Sequence, residues 1–204
     1  MNALFRIMEL ASGKIIIDDI DIATIGLEDL RKRLAIIPQD PVLFSGTFRS
    51  NLDPFNEHQD VQLWDALERA SLKAFVTKEG IDSEIQDGGE NISVGQRQLL
   101  CLARAMLKQP VILVMDEATA SVDFETDTLI QKSIEAFKNA TVLTIAHRLN
   151  TIINYDLVLV LGDGLIIESG SPSELLTRDG AFSRMVDETG QANSKLLRSL
   201  VKSC

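Results

Sequence analysis

The strongest hydrophobic pattern in this chain is the run Val-Ile-Leu-Val-Met at residues 111–115. Five consecutive apolar residues are too few for a stable isolated helix, and they are typical of a strand buried on both faces of a parallel sheet. The run ends in two adjacent carboxylates, Asp116 and Glu117. In open α/β sheets, ligands bind beyond the carboxyl ends of the strands. The pattern therefore predicts a buried strand with a functional site at its end.

Helical and strand periodicities surround this strand and predict an α/β fold with a mostly parallel core sheet. Helices are predicted at residues 1–10, 27–34, 60–78, 93–108 and 125–138, with a short one from 171. Extended segments or strands are predicted at residues 14–22, 35–37, 111–116, 141–146, 157–161 and 165–167. The strand at 141–146 is expected to be buried.

The domain organisation follows from these elements. Residues 1–190 are predicted to form one α/β domain, in which about 52–108 form an inserted helical subdomain. Residues 191–204 are polar and without clear periodicity, so they are predicted to be a C-terminal tail.

Composition narrows the class of protein. A formal net charge of −10 and a pI near 4.7 argue against nucleic-acid binding, which needs a basic surface. No apolar run approaches the roughly 18 residues needed to cross a bilayer. The two cysteines, Cys101 and Cys204, are interpreted as reduced thiols of an intracellular-facing protein, because they do not form a disulfide framework.

Four features suggest chemistry, and each has a structural alternative. The Asp116–Glu117 pair ends one predicted strand, and His147 follows another, where it could be only a hydrogen-bonded structural residue. Ser93 and Gln96 match a capping box and could serve only to begin a helix. Gln39 lies in a predicted loop and could be a solvated side chain. Their combination and order favour a functional site.

Five motifs in four segments carry that order, which resembles the order in the nucleotide-binding domain of ABC transporters. The motifs are IIPQDPVLFSG (Q-loop, 36–46), NISVGQRQLLCLARA (signature, 91–105), VILVMDEATASVD (Walker B and D-loop, 111–123) and TIAHRL (H-loop, 144–149). The amino-acid sequences of these motifs are most similar to those of the second nucleotide-binding domain in the C subfamily, the multidrug-resistance-associated type. The resemblance covers nearly all of residues 1–190 and implies a P-loop NTPase-like fold.

The resemblance implies roles at the ends of the strands. Asp116 is expected to hold Mg²⁺, for which oxygen ligands are suited. Glu117 is expected to deprotonate the water that attacks the γ-phosphate of ATP, and His147 to contact that phosphate. Gln39 resembles the Q-loop residue that reaches the metal and the water, and its loop is expected to contact the transmembrane domains.

Other residues are implied to act across a dimer. Ser93, Gly95 and Gln96 lie at a predicted helix N-terminus, which favours phosphate; the resemblance implies that this phosphate belongs to ATP held by a second nucleotide-binding domain. Ser121 and Asp123 resemble the D-loop that links the two ATP sites. ATP and Mg²⁺ are the expected ligands, and the cytosolic face of a membrane is the expected location.

Two departures from the family pattern affect these expectations. Val94 stands where the commonest signature has glycine, and its side chain is expected to weaken the composite site. No G-x-x-x-x-G-K-[ST] loop is present, since near Gly13 the required first glycine is Met8 and the required Ser/Thr is Ile15. Residues 1–10 resemble the end of the helix after that loop, so the domain is expected to be incomplete at its N-terminus. Without the loop, ATPase activity is expected to be negligible.

Three functions remain open at this point. The first is the ATP-hydrolysing module of an exporter, with organic anions or conjugates as substrates by resemblance. The second is a catalytically inactive fragment that offers only its signature helix to a partner. The third is a soluble ABC ATPase of the DNA-maintenance type, which the acidic composition disfavours.

Overall fold

The computed structural model describes residues 1–116, 122–146 and 148–201. The chain divides into two compact units, residues 1–145 and 146–204.

The first unit has a three-stranded parallel sheet at its centre. Its strands are β1 (Ile16–Ile17), β2 (Ile20–Asp21), β3 (Leu34–Ile37), β4 (Gly46–Thr47), β5 (Glu84–Ile85), β6 (Ile112–Asp116) and β7 (Thr141–Ile145). Its helices are α1 (Leu27–Arg33), α2 (Phe48–Leu52), α3 (Asp60–Arg69), α4 (Lys73–Glu79), α5 (Val94–Lys108) and α6 (Phe124–Ile134). The parallel sheet has the order β3-β6-β7, and the pairs β1-β2 and β4-β5 are antiparallel.

The central strand β6 confirms the strongest sequence prediction. Ile112 to Met115 are all buried, and neighbouring strands pair with β6 on both sides. The edge strand β7 differs from the prediction of burial, because Leu143 and Ile145 are 44% and 48% exposed. One face of β7 is therefore uncovered, although its residues have the composition of a buried strand.

Helix α5 begins and ends where the sequence predicts. Ser93 caps its first turn, and its last turn is followed by Gln109 in the left-handed region, with φ 48°. Pro110 then prevents continuation of the helix, since it has no N–H to donate. The helix contributes nine buried residues to the unit, so it is the main apolar support of the sheet.

The structure contradicts the helix predicted for residues 1–10, which form a series of turns. A segment this short is marginal as a helix in water. Arg6 has φ 47°, and its guanidinium donates to the carbonyls of Ile22 and Ile25 at 3.0 and 2.8 Å. These bonds to a distant segment stabilise a conformation that is not helical.

The extended segment predicted for residues 14–22 also differs, because it turns back on itself. Asp18 and Asp19 have φ of 48° and 62° and separate β1 from β2. Two successive residues with positive φ are the geometry of a tight hairpin turn, so the segment forms two short strands.

The second unit combines a hairpin with four helices. Its elements are α7 (Leu149–Ile152), β8 (Val158–Gly162), β9 (Leu165–Gly170), α8 (Pro172–Thr177), α9 (Ala181–Glu188) and α10 (Gln191–Leu200). The hairpin turn at Asp163 and Gly164 has φ of 50° and 79°, as the sequence predicts. In the described part of the chain, no helix is long and apolar enough to span a membrane.

Helix α10 corrects the prediction of a tail at residues 191–204. Ser194 and Leu197 are buried, three residues apart on one face of the helix. The Arg198 guanidinium donates to Asp187 at 2.9 Å, and the Ser194 hydroxyl donates to the same carboxylate at 2.7 Å. Contacts with α9 therefore order a segment whose own composition is polar.

Candidate functional site

The carboxyl ends of β3 and β6 bring two predicted site residues to one edge of the sheet. The register pairs Ile37 with Met115. Asp116 is the last residue of β6, and Gln39 follows β3 by two residues. The Asp116 residue is half-buried and Gln39 is exposed. Within the described residues, no hydrogen bond or ion pair engages the Asp116 carboxylate.

These side chains fit a magnesium ion by their chemistry. Mg²⁺ is usually held by one or two carboxylates, while waters and substrate phosphates fill its remaining positions. Across residues 1–116, 122–146 and 148–201, no cluster of three or more His, Cys, Asp or Glu could hold a metal by itself. The carboxylate of Asp116 and the amide oxygen of Gln39 are oxygen ligands of the kind that Mg²⁺ takes.

The start of α5 is a reciprocal capping box. The Gln96 N–H donates to Ser93 Oγ at 3.1 Å, and the Ser93 N–H donates to Gln96 Oε1 at 2.9 Å. In both bonds the side chain acts only as the acceptor, through Ser93 Oγ and Gln96 Oε1. The Ser93 hydroxyl proton and the Gln96 NH₂ group can therefore still be donated to a ligand. The N–H groups of Val94 and Gly95 belong to the first turn, where a helix has no internal acceptors for them. This end of the helix can therefore donate several hydrogen bonds to an anion.

Val94 and Gly95 pack against different parts of the unit. Val94 is half-buried and packs against the main apolar core of the unit. Gly95 is buried against α6, where an added Cβ would lie 2.6 Å from Thr126 Cγ2 and 2.8 Å from Thr126 Oγ1. Real Cβ atoms do not approach other heavy atoms that closely, so a side chain at position 95 would require Thr126 to move.

Thr126 connects this glycine to the predicted D-loop aspartate. Asp123 caps α6, and its carboxylate accepts from the Thr126 N–H at 3.0 Å and from the Thr126 hydroxyl at 2.8 Å. These bonds hold the pKa of Asp123 below its usual range. Any stability that they give is present above the unfolded-state pKa, and it is lost as pH falls through the lower folded-state pKa.

We expect Gly95→Ala to destabilise the chain, although alanine is the better helix former. Alanine gains at most about 1 kcal/mol over glycine in a helix, while the clash with Thr126 costs about 1–3 kcal/mol. In a Thr126→Ala background the nearest atoms are removed, so the same substitution should become neutral or stabilising. Urea unfolding of the four combinations measures this coupling.

Gly26→Ala is the control for adding a methyl group without a clash. Gly26 has φ −64°, and the atom nearest to a Cβ added there, Asp29 Oδ2, would lie at an ordinary contact distance of 3.4 Å. If Gly95→Ala lowers the free energy of unfolding equally in the unsubstituted chain and in the Thr126→Ala background, the steric explanation is wrong.

Three predicted site residues, Glu117, Ser121 and His147, lie outside the described residues. Two further residues were not singled out from the sequence, Gln98 and Arg104. Both are polar residues within the apolar pattern of α5, and that pattern was the available signal. Gln98 is 2% exposed and Arg104 is half-buried, and both donate to backbone carbonyls of the segment after β3.

Comparisons with known proteins identify the family of this chain. A family model described as ABC transporter matches residues 1–120. ATP-binding cassette sub-family C member 2 of Rattus norvegicus is 58% identical over 195 residues, which are 94% of this chain and 13% of that protein. The Mus musculus protein of the same name is 59% identical over 192 residues, 93% of this chain and 12% of that protein.

A solved structure extends the likeness to three dimensions. A bacterial Atm1-family ABC exporter with ATP bound matches with a TM-score of 0.87 and 35% identity, covering 93% of this chain and 34% of that chain. The fold is thus that of a P-loop NTPase-like α/β domain with a parallel core sheet. The chain belongs to the ABC transporter family, and it spans 12–13% of the length of the two named relatives.

Proposed function

We propose that this chain is part of the nucleotide-binding domain of an ABC exporter, which hydrolyses ATP to ADP and phosphate. The observation that carries the proposal is the position of Asp116 and Gln39 at neighbouring strand ends. The identity to sub-family C proteins supports a transporter over a DNA-maintenance ATPase. By the subfamily resemblance, the transported substrates are organic anions or conjugates, and the domain lies at the cytosolic face of a membrane.

In this proposal, residues at or after the ends of the strands contact the γ-phosphate of ATP, its metal ion or the attacking water. Asp116 and Gln39 would hold Mg²⁺ through their side-chain oxygens, and a bound ion would supply positive charge beside the phosphates. Glu117 follows Asp116 in the chain and accepts the proton of the attacking water. His147 contacts the γ-phosphate and keeps the geometry of attack.

The other proposed contacts lie between domains. Ser93, Gly95 and Gln96 donate hydrogen bonds to the ATP of a second nucleotide-binding domain, which suits the donors left by the capping box. Ser121 and Asp123 form the D-loop between the two ATP sites. The Q-loop segment, residues 39–46, contacts the transmembrane domains.

The alternative to be tested is a non-catalytic function, in which the chain only offers its signature helix to a partner domain. The 204 residues contain no P-loop motif, and the backbone N–H groups and lysine of that motif are the main ligands of ATP phosphates in this class. In the proposed function, ATP therefore uses phosphate ligands from outside these 204 residues.

A chimera decides between these functions. In it, this chain replaces the aligned segment of the rat relative, so that the rest of the exporter supplies the missing ligands. We expect the purified chimera to hydrolyse ATP at a rate close to that of the rat protein, and the 204-residue chain alone to show no steady ATPase activity. An inactive but folded chimera would support the non-catalytic function. Steady turnover by the chain alone would show that our account of its phosphate ligands is wrong.

A further inference from the structure

We infer that Gln98 is a positioning residue that holds the backbone at Gln39 from the signature helix. Its Nε2 donates to the carbonyl of Pro38 at 3.1 Å and to the carbonyl of Gln39 at 2.9 Å. The inference rests on the proposed function, because it assigns Gln98 to the positioning of a proposed metal ligand.

The burial of Gln98 argues against a role in packing alone. The side chain is 2% exposed and is followed along α5 by the buried residues Leu99 and Leu100. Its Oε1 is buried and has no hydrogen-bond partner in the described part of the chain. A buried acceptor without a donor is destabilising, and leucine would fill a similar volume without that cost.

The orientation of the amide is set by its partners. Two carbonyl oxygens can only accept, so the atom that faces them must be the NH₂ group. Both carbonyls lie where the chain leaves β3 for the Q-loop segment. Gln98 therefore connects the helix that begins with the signature residues directly to the backbone of Gln39.

Gln98→Leu tests the contact, because it removes both donors and keeps the size of the side chain. In the chimera, we expect the Mg²⁺ concentration for half-maximal ATPase activity to rise about tenfold, a factor of the size expected for the two lost hydrogen bonds. In the 204-residue chain, we expect hydrogen exchange in residues 38–45 to become about tenfold faster. Gln86→Leu is the matched control, since Gln86 is exposed, and it should change neither value.

Gln98→Glu tests the same contact through its pH profile. A carboxylate facing two carbonyls is repelled, whereas a protonated carboxyl group can donate one hydrogen bond. Burial raises a carboxyl pKa, so activity relative to the unsubstituted chimera should increase as pH falls from about 8 to about 6. Gln98→Leu has no group that ionises at position 98, so it should not show this dependence.

The outcomes separate the two proposals. Unchanged exchange and an unchanged Mg²⁺ requirement in Gln98→Leu, or a flat pH profile in Gln98→Glu, would overturn the role of Gln98. If the unsubstituted chimera does not hydrolyse ATP, the proposed function fails, and hydrogen exchange in the chain itself still decides whether Gln98 holds the Q-loop backbone.

Discussion

Replacing Glu117 with glutamine in the chimera is expected to lower ATP turnover about a thousandfold and to leave ATP binding unchanged. A positioned general base contributes about 10²–10⁴-fold to a rate, and glutamine cannot accept the proton of the attacking water at neutral pH. Glutamine keeps the size and polarity of glutamate, so contacts that only bind the nucleotide should survive. Single-turnover ATP hydrolysis and equilibrium nucleotide binding measure the two quantities separately.

A second glutamate provides the control for this substitution. Glu79 is exposed at the end of α4, and Glu79→Gln removes the same charge without approaching the sheet edge. Turnover in that variant should equal that of the unsubstituted chimera. A parallel loss of binding and turnover in Glu117→Gln would mean that Glu117 is a ligand of the nucleotide or its metal and not the base.

The sequence predicts those parts of the fold that depend on local pattern. The run at 111–115 identifies β6, because a strand with neighbours on both sides has a continuous apolar sequence. Residues 1–10 were mispredicted because Arg6 bonds to carbonyls 16 and 19 positions away. Residues 191–200 were mispredicted because α10 is ordered through side-chain contacts with Asp187 of the preceding helix.

In the candidate site too, local features could be predicted from the sequence and long-range contacts could not. The capping box of Ser93 and Gln96 could be predicted from spacing alone, because both partners lie in one turn of helix. The reason for glycine at position 95 could not be predicted from the sequence, because the close neighbour of Gly95 is Thr126, which belongs to another helix. The same holds for Gln98, whose bond to the Gln39 carbonyl joins residues 59 positions apart.

Arg104 is the second residue at which we expect a large effect, in this case on stability. Its guanidinium donates to the carbonyls of Val42 and Asn51 at 2.6 and 2.5 Å and to Asn51 Oδ1 at 2.5 Å. Asn51 is 3% exposed, and its Nδ2 donates to the carbonyls of Phe44 and Thr47 at 2.8 and 3.0 Å. Arg104 and Asn51 together therefore fix the Q-loop segment against α5.

Burial lowers the pKa of Arg104, but an arginine remains charged at neutral pH. Arg104→Ala removes the donor from the part-buried Asn51 carbonyl and from Asn51 Oδ1, and each buried group left unsatisfied costs about 1–3 kcal/mol. The Val42 carbonyl belongs to an exposed residue, so its loss should contribute little. We expect the free energy of unfolding in urea to fall by about 3 kcal/mol. Arg104→Lys should cause an intermediate loss, because an ammonium group keeps the charge but lacks the planar fork that reaches three acceptors.

Arg33 is the matched control, since it is exposed at the end of α1. Arg33→Ala should change the unfolding free energy by no more than about 0.5 kcal/mol, as surface substitutions usually do. If Arg104→Ala costs less than about 1 kcal/mol, water replaces the guanidinium at both carbonyls, and the Q-loop segment does not depend on this arginine. A large loss confined to Arg104 would instead show that one side chain of the signature helix stabilises the segment proposed to contact the transmembrane domains.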